Sequence, residues 1–505
     1  MERQRTRRVM LALALAGGLL LTGCGGGADD GSSTDGAKGG SYGSGFPAPD
    51  QPQGEQNSGE SRDGLVTPSP DHLSTFALDV DTASYGYARR TLAEGRRPDP
   101  ATIRPEEFVN SFRQDYDRPD GNGFTVTVDG ARTGQDGWSL VRVGLATRNA
   151  ADDPDERPPA ALTFVIDISG SMAEPGRLDL AQRSLDTMTE RLRDDDSVAL
   201  VTFSDQAETV LPMTRLGDHR DRVHRAIDRL EPTYSTNLGA GVETGYETAV
   251  EGLREGATNR VVLISDALAN DGETDPDAIL DRIDTARREH GITLFGVGVG
   301  SDYGDALMER LADKGDGHTV YVSDDDAEKV FCEQLPQNID LTARDAKAQV
   351  AFDPETVASF RLVGYDNRRV ADDDFRDDRV DGGEVGPGHT VTALYAVRTR
   401  PGADGHLATA TVRWQDPRTR APHEKSAGLE TFDDSLREAD PRFQVDAVAA
   451  YFADALRDGY ADDRLPGRPS MGELADWADA LGDRTEDGAV RQLADTIRRA
   501  GHLAD

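Results

Sequence analysis

The sequence predicts an α/β fold: a doubly wound parallel sheet at about residues 158–337, flanked by β-rich segments and followed by a C-terminal helical part. Three observations carry that expectation. Apolar runs at 162–166, 198–203, 261–264 and 294–299, with a shorter one at 320–322, alternate with amphipathic stretches at 178–192, 223–230, 278–287 and 306–311. Strands that are apolar on both faces and separated by helices build a parallel sheet covered on both sides. Before and after this block lie β-like runs at 124–128, 140–145, 349–352, 360–363, 391–395 and 408–414. They are expected to join in one antiparallel unit, with the α/β domain inserted between its halves. From Pro441 onward, Phe443, Val448, Tyr451, Phe452 and Leu456 recur at helical spacing.

Taken in chain order, the N-terminus has the layout of an export signal: Arg3, Arg5, Arg7 and Arg8 precede an apolar run at 9–21 that is short for a bilayer span. The run ends in Leu21-Thr22-Gly23-Cys24, which resembles a bacterial lipobox, so residues 1–24 are expected to be a lipoprotein leader with Cys24 as the lipidation site. Residues 25–71 are Gly, Ser, Asp, Pro and Gln with almost no apolar side chains, a composition that cannot offset the entropy of ordering. They read as a disordered tether that spans on the order of 40 Å and lifts the folded part off a membrane surface. An N-terminal flanking domain at 72–157 follows, with Tyr85, Ala88 and Leu92 on one helix face and a second helix at about 105–112. After the α/β domain come a β-rich flank at 338–435 and the helical region at 436–505.

The net charge of −37 repels nucleic acid and anionic headgroups alike. With Cys24 lipidated, Cys332 is left without a disulfide partner, and its apolar neighbours Val330, Phe331 and Leu335 mark it as a core thiol. The expected location is the outer face of the cell membrane.

The chemistry gathers at strand ends. The run at 162–166 leads into Asp167-Ile168-Ser169-Gly170-Ser171, Tyr234-Ser235-Thr236-Asn237-Leu238 opens a helix, and the run at 261–264 leads into Ser265-Asp266. In a parallel sheet, loops at the carboxyl ends of the strands build the binding crevice. Asp167, Ser169, Ser171, Thr236 and Asp266 together offer two carboxylates and three hydroxyls, with no thiol or imidazole nearby in sequence. Such hard oxygen donors suit Mg²⁺ or Mn²⁺ rather than zinc or copper.

These segments resemble the metal-ion-dependent adhesion site of the von Willebrand factor type A family. The resemblance implies that Ser169 and Ser171 ligate the metal through their hydroxyls, that Thr236 does so directly or through water, and that Asp167 and Asp266 act mainly through bound waters. It also implies an open coordination position for an Asp or Glu carboxylate of a protein partner. Segments 74–85, 308–315 and 388–395 extend the likeness to a bacterial lipoprotein subgroup of that family, whose flanks have no assigned function. Two departures from the family pattern stand out: Ala267 replaces a usual Gly, and Tyr234-Ser235 replaces a common Gly pair. A side chain at either place is costly if the backbone needs positive φ. In a metal-free site Asp167 and Asp266 are expected to repel each other.

The reading is therefore a non-enzymatic envelope lipoprotein engaged in metal-dependent protein interaction. The alternatives are a structural envelope scaffold with a non-essential metal site, and a phosphatase using Asp79 and Asp81 of Asp79-Val80-Asp81-Thr82. The phosphatase lacks its supporting lysine and distal acidic pair. The acidic run around Asp372-Asp373-Asp374 lacks the spacing of a calcium loop, and Asp324-Asp325-Asp326 reads as the first turn of a helix.

Overall fold

The computed structural model describes residues 71–78, 82–149, 157–266, 318–322, 341–377, 382–417, 419–457 and 465–503, with Val380 and parts of 279–299. Cys24, nearly all of the expected tether, Asp79, Asp81, Ala267, Asp324 and Cys332 lie outside the described residues.

The chain enters through β1 (Leu73–Ala77), α1 (Ala83–Ala93) and α2 (Pro105–Asn110), and then forms the hairpin of β2 (Phe124–Arg132) and β3 (Trp138–Thr147). Along β3 the side chains alternate. Val141, Val143 and Leu145 enter one apolar core, whereas Leu140 belongs to another. The period of two thus serves two layers at once. Beyond the α/β domain come β10 (Ala343–Phe352), β11 (Val357–Leu362), β12 (Gly383–Val385), β13 (Thr390–Thr399), β14 (Ala408–Gln415) and β15 (Pro422–Leu429).

Strand β13 pairs with β3 in an antiparallel register from Thr390↔Ala146 to Arg398↔Trp138, so the chain on either side of the α/β domain closes into one sheet, ordered β11-β13-β3-β2. A second antiparallel sheet, β1-β10-β14-β15 with β12 on β10, shares a core with it through Phe76, Val143, Val350, Tyr395 and Val412. The flanking strands therefore make two sheets rather than one. The other side of the first sheet is covered by α1, α2 and the C-terminal helices α6 (Pro441–Leu456), α7 (Met471–Thr485) and α8 (Gly488–His502). Ser470 caps α7 in a reciprocal box with Glu473. Asp372 is part of this framework: its Oδ1 accepts from Thr75 Oγ1 at 2.6 Å, and its carbonyl accepts from Gln349 Nε2 at 3.1 Å.

The α/β domain has a six-stranded sheet of β4 (Ala160–Asp167), β5 (Ser197–Phe203), β6 (Ala207–Arg215), β7 (Thr258–Ser265), β8 (Thr293–Val299) and β9 (His318–Val322), in the order β6-β5-β4-β7-β8-β9. The pairs from β5 to β9 are parallel. Strand β6, absent from the sequence expectation, pairs antiparallel with β5 at the edge. It carries Pro212 and exposes Glu208, Thr209 and Val210, so it lacks the apolar run that marks the buried strands.

Both faces are covered. Leu162, Phe164 and Ile166 of β4 pack with α3 (Leu178–Arg191) and α4 (Arg220–Ile227), while Val165 packs with α5 (Leu238–Glu251). Two glycines let α5 lie close on the sheet: a Cβ on Gly245 would sit 2.3 Å from Val165, and one on Gly241 would sit 2.6 Å from the Phe203 ring.

Candidate metal centre

Three chain segments meet at the carboxyl edge of this sheet, and backbone hydrogen bonds tie two of them to their neighbours. Beyond Asp167, the Ile168 amide donates to the Phe203 carbonyl at 3.0 Å, which keeps the chain against β5 for one more residue. A 3₁₀ turn follows at Gly170–Ala173. The segment before α5 is fastened at both ends, since the Thr233 amide donates to the Ile168 carbonyl and the Asn237 amide to the Ser204 carbonyl, each at 2.6 Å. Asn237 then caps α5 by accepting from the Ala240 amide. Thr236, held between these anchors, is buried.

Asp167, Ser169 and Asp266 are buried too. Asp167 is committed on both oxygens. Its Oδ1 accepts from the Ser169 amide at 2.8 Å and its Oδ2 from Ser265 Oγ at 2.6 Å. Burial pushes its carboxyl up to about 6, against the pull of the Ser265 and Ser169 hydrogen bonds and with a further push from the Asp266 charge. Ser169 Oγ and Ser171 Oγ stand 3.0 Å apart. Two adjacent ligands of an octahedral cation with bonds of about 2.1 Å are separated by roughly that distance.

Asp266 is the third element. Its Oδ2 accepts from Arg177 Nη1 at 2.7 Å, whereas its Oδ1 is buried and has no hydrogen-bond partner among the described residues. A buried carboxylate oxygen without a donor is costly unless a ligand supplies the missing interaction. The donor set therefore fits a small divalent cation, which would provide a Lewis-acidic point to be completed from outside. Among the described residues no three His, Cys, Asp or Glu side chains converge on a common point, so the set is hydroxyl-rich rather than a carboxylate cage.

Sequence reasoning missed two residues here. Ser265, in sequence only part of a strand end, holds Asp167 through its hydroxyl. Arg177 was overlooked altogether. Its guanidinium donates to Asp266, to the Ser171 carbonyl at 3.2 Å and to Glu174 at 2.8 Å. The expected repulsion between Asp167 and Asp266 persists as the push of the Asp266 charge on the Asp167 carboxyl, and Arg177 partly offsets it by pairing with Asp266. The available signal was its position: Arg177 precedes α3, where the helix dipole favours anions.

Of the two departures noted in the sequence, Ala267 lies outside the described residues, but Ser235 does adopt φ +65°. Beside it Tyr234 is 88% exposed.

Comparison with known proteins places the chain in a family. The model of the von Willebrand factor type A domain matches residues 161–334, that of the C-terminal part of the uncharacterised protein YfbK matches 338–503, and one described as von Willebrand factor matches 52–139. The uncharacterised protein YfbK of Escherichia coli (strain K12) is 34% identical over 461 residues, which cover 84% of this chain and 78% of that protein. The uncharacterised protein sll0103 of Synechocystis is 26% identical over 183 residues, 36% of this chain and 41% of that protein. Among solved structures, a von Willebrand factor type A protein from Catenulispora acidiphila superposes with a TM-score of 0.47 at 16% identity, covering 75% of this chain and 91% of that one. None of these relatives is described as an enzyme. The chain belongs to the YfbK-like proteins, in which a von Willebrand factor type A domain is carried between an N-terminal flank and a YfbK-type C-terminal region.

Proposed function

We propose that this protein is a cell-envelope lipoprotein, anchored through Cys24, whose α/β domain captures a carboxylate of a protein partner on a Mg²⁺ or Mn²⁺ ion. Asp167, Ser169, Ser171, Thr236 and Asp266 are the residues that hold the cation. The general tendency of this domain type to mediate protein–protein interaction supports the reading. The observation that carries it is Asp266 Oδ1, a buried oxygen without a donor among the described residues, on a carboxylate that Arg177 ties to the Ser169–Ser171 loop, where two hydroxyls stand at the spacing of neighbouring ligands. Neutral hydroxyls leave a divalent cation poorly neutralised, so an incoming anionic oxygen is strongly favoured. Asp167, with one hydrogen bond on each oxygen, orients the Ser169 loop and contributes negative charge toward the metal.

The test is capture from envelope extract by the purified chain, with and without chelator, in wild type and Ser171→Ala. A partner retained by wild type in Mg²⁺, and lost equally in chelator and in the neutral Ser171→Ala variant, supports coordination over general electrostatics. Binding that persists unchanged in chelator removes the adhesion mechanism and favours the scaffold alternative. The anchor is tested separately: Cys24→Ala releases the protein from membranes, and a variant that stays membrane-bound in high salt refutes the lipobox reading.

A further inference from the structure

We propose that Arg177 is the resident counter-cation of this centre: it neutralises Asp266 when the metal is absent and sets how weakly the metal is held. The proposal rests on the metal reading above. Arg177 is only 2% exposed, and its placement follows neither from helix chemistry nor from solvation. It stands at the N-terminal edge of the 14-residue helix α3, where the dipole opposes a cation, and provides no side-chain cap. Asp179 meets the local backbone need instead, accepting from the amides of Gly176 and Arg177. What the guanidinium does engage is the site. Nη1 bridges Asp266 Oδ2 and the Ser171 carbonyl, thereby linking the end of β7 to the loop after β4. Its contact on the outer side, Glu174, is about two-thirds exposed and is screened by water.

Two consequences follow from charge. A guanidinium stays protonated under all ordinary conditions, so Asp266 keeps a counterion without metal and the empty site does not force the fold open. A divalent cation that binds there enters a low-dielectric pocket already holding one positive charge, which weakens its binding. The loaded centre is then left with an excess of positive charge over Asp167 and Asp266, and that excess favours an anionic ligand in the open position. Arg177 is thus a positioning and affinity-setting residue. Its bond to Oδ2 fixes the carboxylate, while Oδ1 has no hydrogen-bond partner among the described residues.

The purified full chain, as wild type, Arg177→Gln and Arg177→Lys, is titrated with Mn²⁺ by electron paramagnetic resonance of the free ion, and melted in chelator and in millimolar Mn²⁺. Removing the charge is expected to tighten Mn²⁺ binding by about tenfold or more, because a like charge no longer opposes the ion, to lower the melting temperature in chelator and to enlarge the gain on adding metal. The lysine variant keeps the charge and stays near wild type. An Arg177→Gln chain that folds only with Mn²⁺ present also supports the proposal, whereas one that is unfolded with and without metal shows a purely structural role and overturns it. Equal or weaker Mn²⁺ binding in Arg177→Gln, with wild type binding normally, overturns this inference alone. Absence of Mn²⁺ binding in every form removes both it and the metal centre.

Discussion

Arg142 with Asp446, between the flanking sheet and α6, and Arg177 with Asp266, at the head of the α/β sheet, are both buried ion pairs, 3.3 and 2.7 Å long. They differ in what surrounds them. In the flank, Asp446 accepts from Gln114 Nε2 on Oδ1 and from Arg142 Nη1 on Oδ2. Arg142 is also held by Asp129 through Nε and Nη2, and its guanidinium lies 5.2 and 5.0 Å from the ring centres of Tyr116 and Phe443. That pair sits between a strand and a helix, with both carboxylate oxygens satisfied. The Arg177–Asp266 pair sits between loops and leaves one oxygen open. A buried pair whose carboxylate oxygens both have donors joins secondary elements, whereas one with an oxygen to spare is arranged to receive something.

The largest effect that separates the two comes from Asp446→Ala. Removing one partner of a buried pair costs about 3–5 kcal/mol, and the lower end applies because Asp129 remains on Arg142. Urea unfolding should show the loss, while Mn²⁺ affinity stays at the wild-type value. A change in metal affinity would mean that the two pairs are coupled and would end the comparison.

The same pair predicts a pH dependence. Burial raises the Asp446 carboxyl from 3.8 to about 7, against the opposing pull of Arg142 and Gln114. A carboxyl raised on folding binds its proton more tightly in the native state, so its contribution to stability is full below about pH 4 and is lost as pH rises through about 7. Asp446→Asn, which imitates the protonated acid, should flatten this decline between about pH 5 and about pH 8. An unchanged slope in that variant would place the titration elsewhere.

At the metal centre the corresponding change is Ser265→Ala, which takes the Oδ2 donor from Asp167 without touching a proposed ligand. Loss of an outer-shell partner typically weakens metal binding by about 10–100-fold. Calorimetry with Mn²⁺ should give a loss in that range. Wild-type affinity in Ser265→Ala would show that Asp167 needs no such orientation.

How much of this was readable from the sequence depends on whether a feature is local. Asp167, Ser169 and Ser171 follow one apolar run, Asp266 ends another and Thr236 precedes a helix, so position at strand ends and a helix start, together with the family resemblance, makes them legible. Arg177 and Asp266 are 89 residues apart, and Arg142 and Asp446 are 304 apart; no periodicity connects either pair. Ser265 was in plain view, but on a buried strand its hydroxyl reads as filler until the partner across β4 is known. In the flanks, alternation showed which side of each strand is buried without showing which sheet it joins, and two sheets resulted where one unit was expected. Strand β6 escaped because an exposed edge strand carrying a proline has neither the apolar run nor the continuous ladder on which a strand is recognised.

The smallest difference between the regions lies in the backbone. Ser235 at the metal loop and Tyr365 in the flank both occupy the left-handed region, at φ +65° and +61°, and a side chain there costs about 1–2 kcal/mol relative to glycine. The two should nevertheless respond oppositely to a change to glycine. Tyr365 is 1% exposed, packs at a tilt against Phe76 with ring centres 4.8 Å apart and donates its hydroxyl to the Thr392 carbonyl, so Tyr365→Gly loses a packed aromatic and a hydrogen bond that far exceed the backbone relief. Ser235 is half-buried, so Ser235→Gly is expected to raise stability in urea by up to about 1 kcal/mol, part of the relief being offset by the greater freedom of glycine in the unfolded chain. Because Thr233 and Asn237 pin the loop by their own amides, Mn²⁺ affinity should change little. A destabilised Ser235→Gly with weakened metal binding would show that the serine side chain itself holds Thr236 in place, and that the strain at this loop is part of how the site is built.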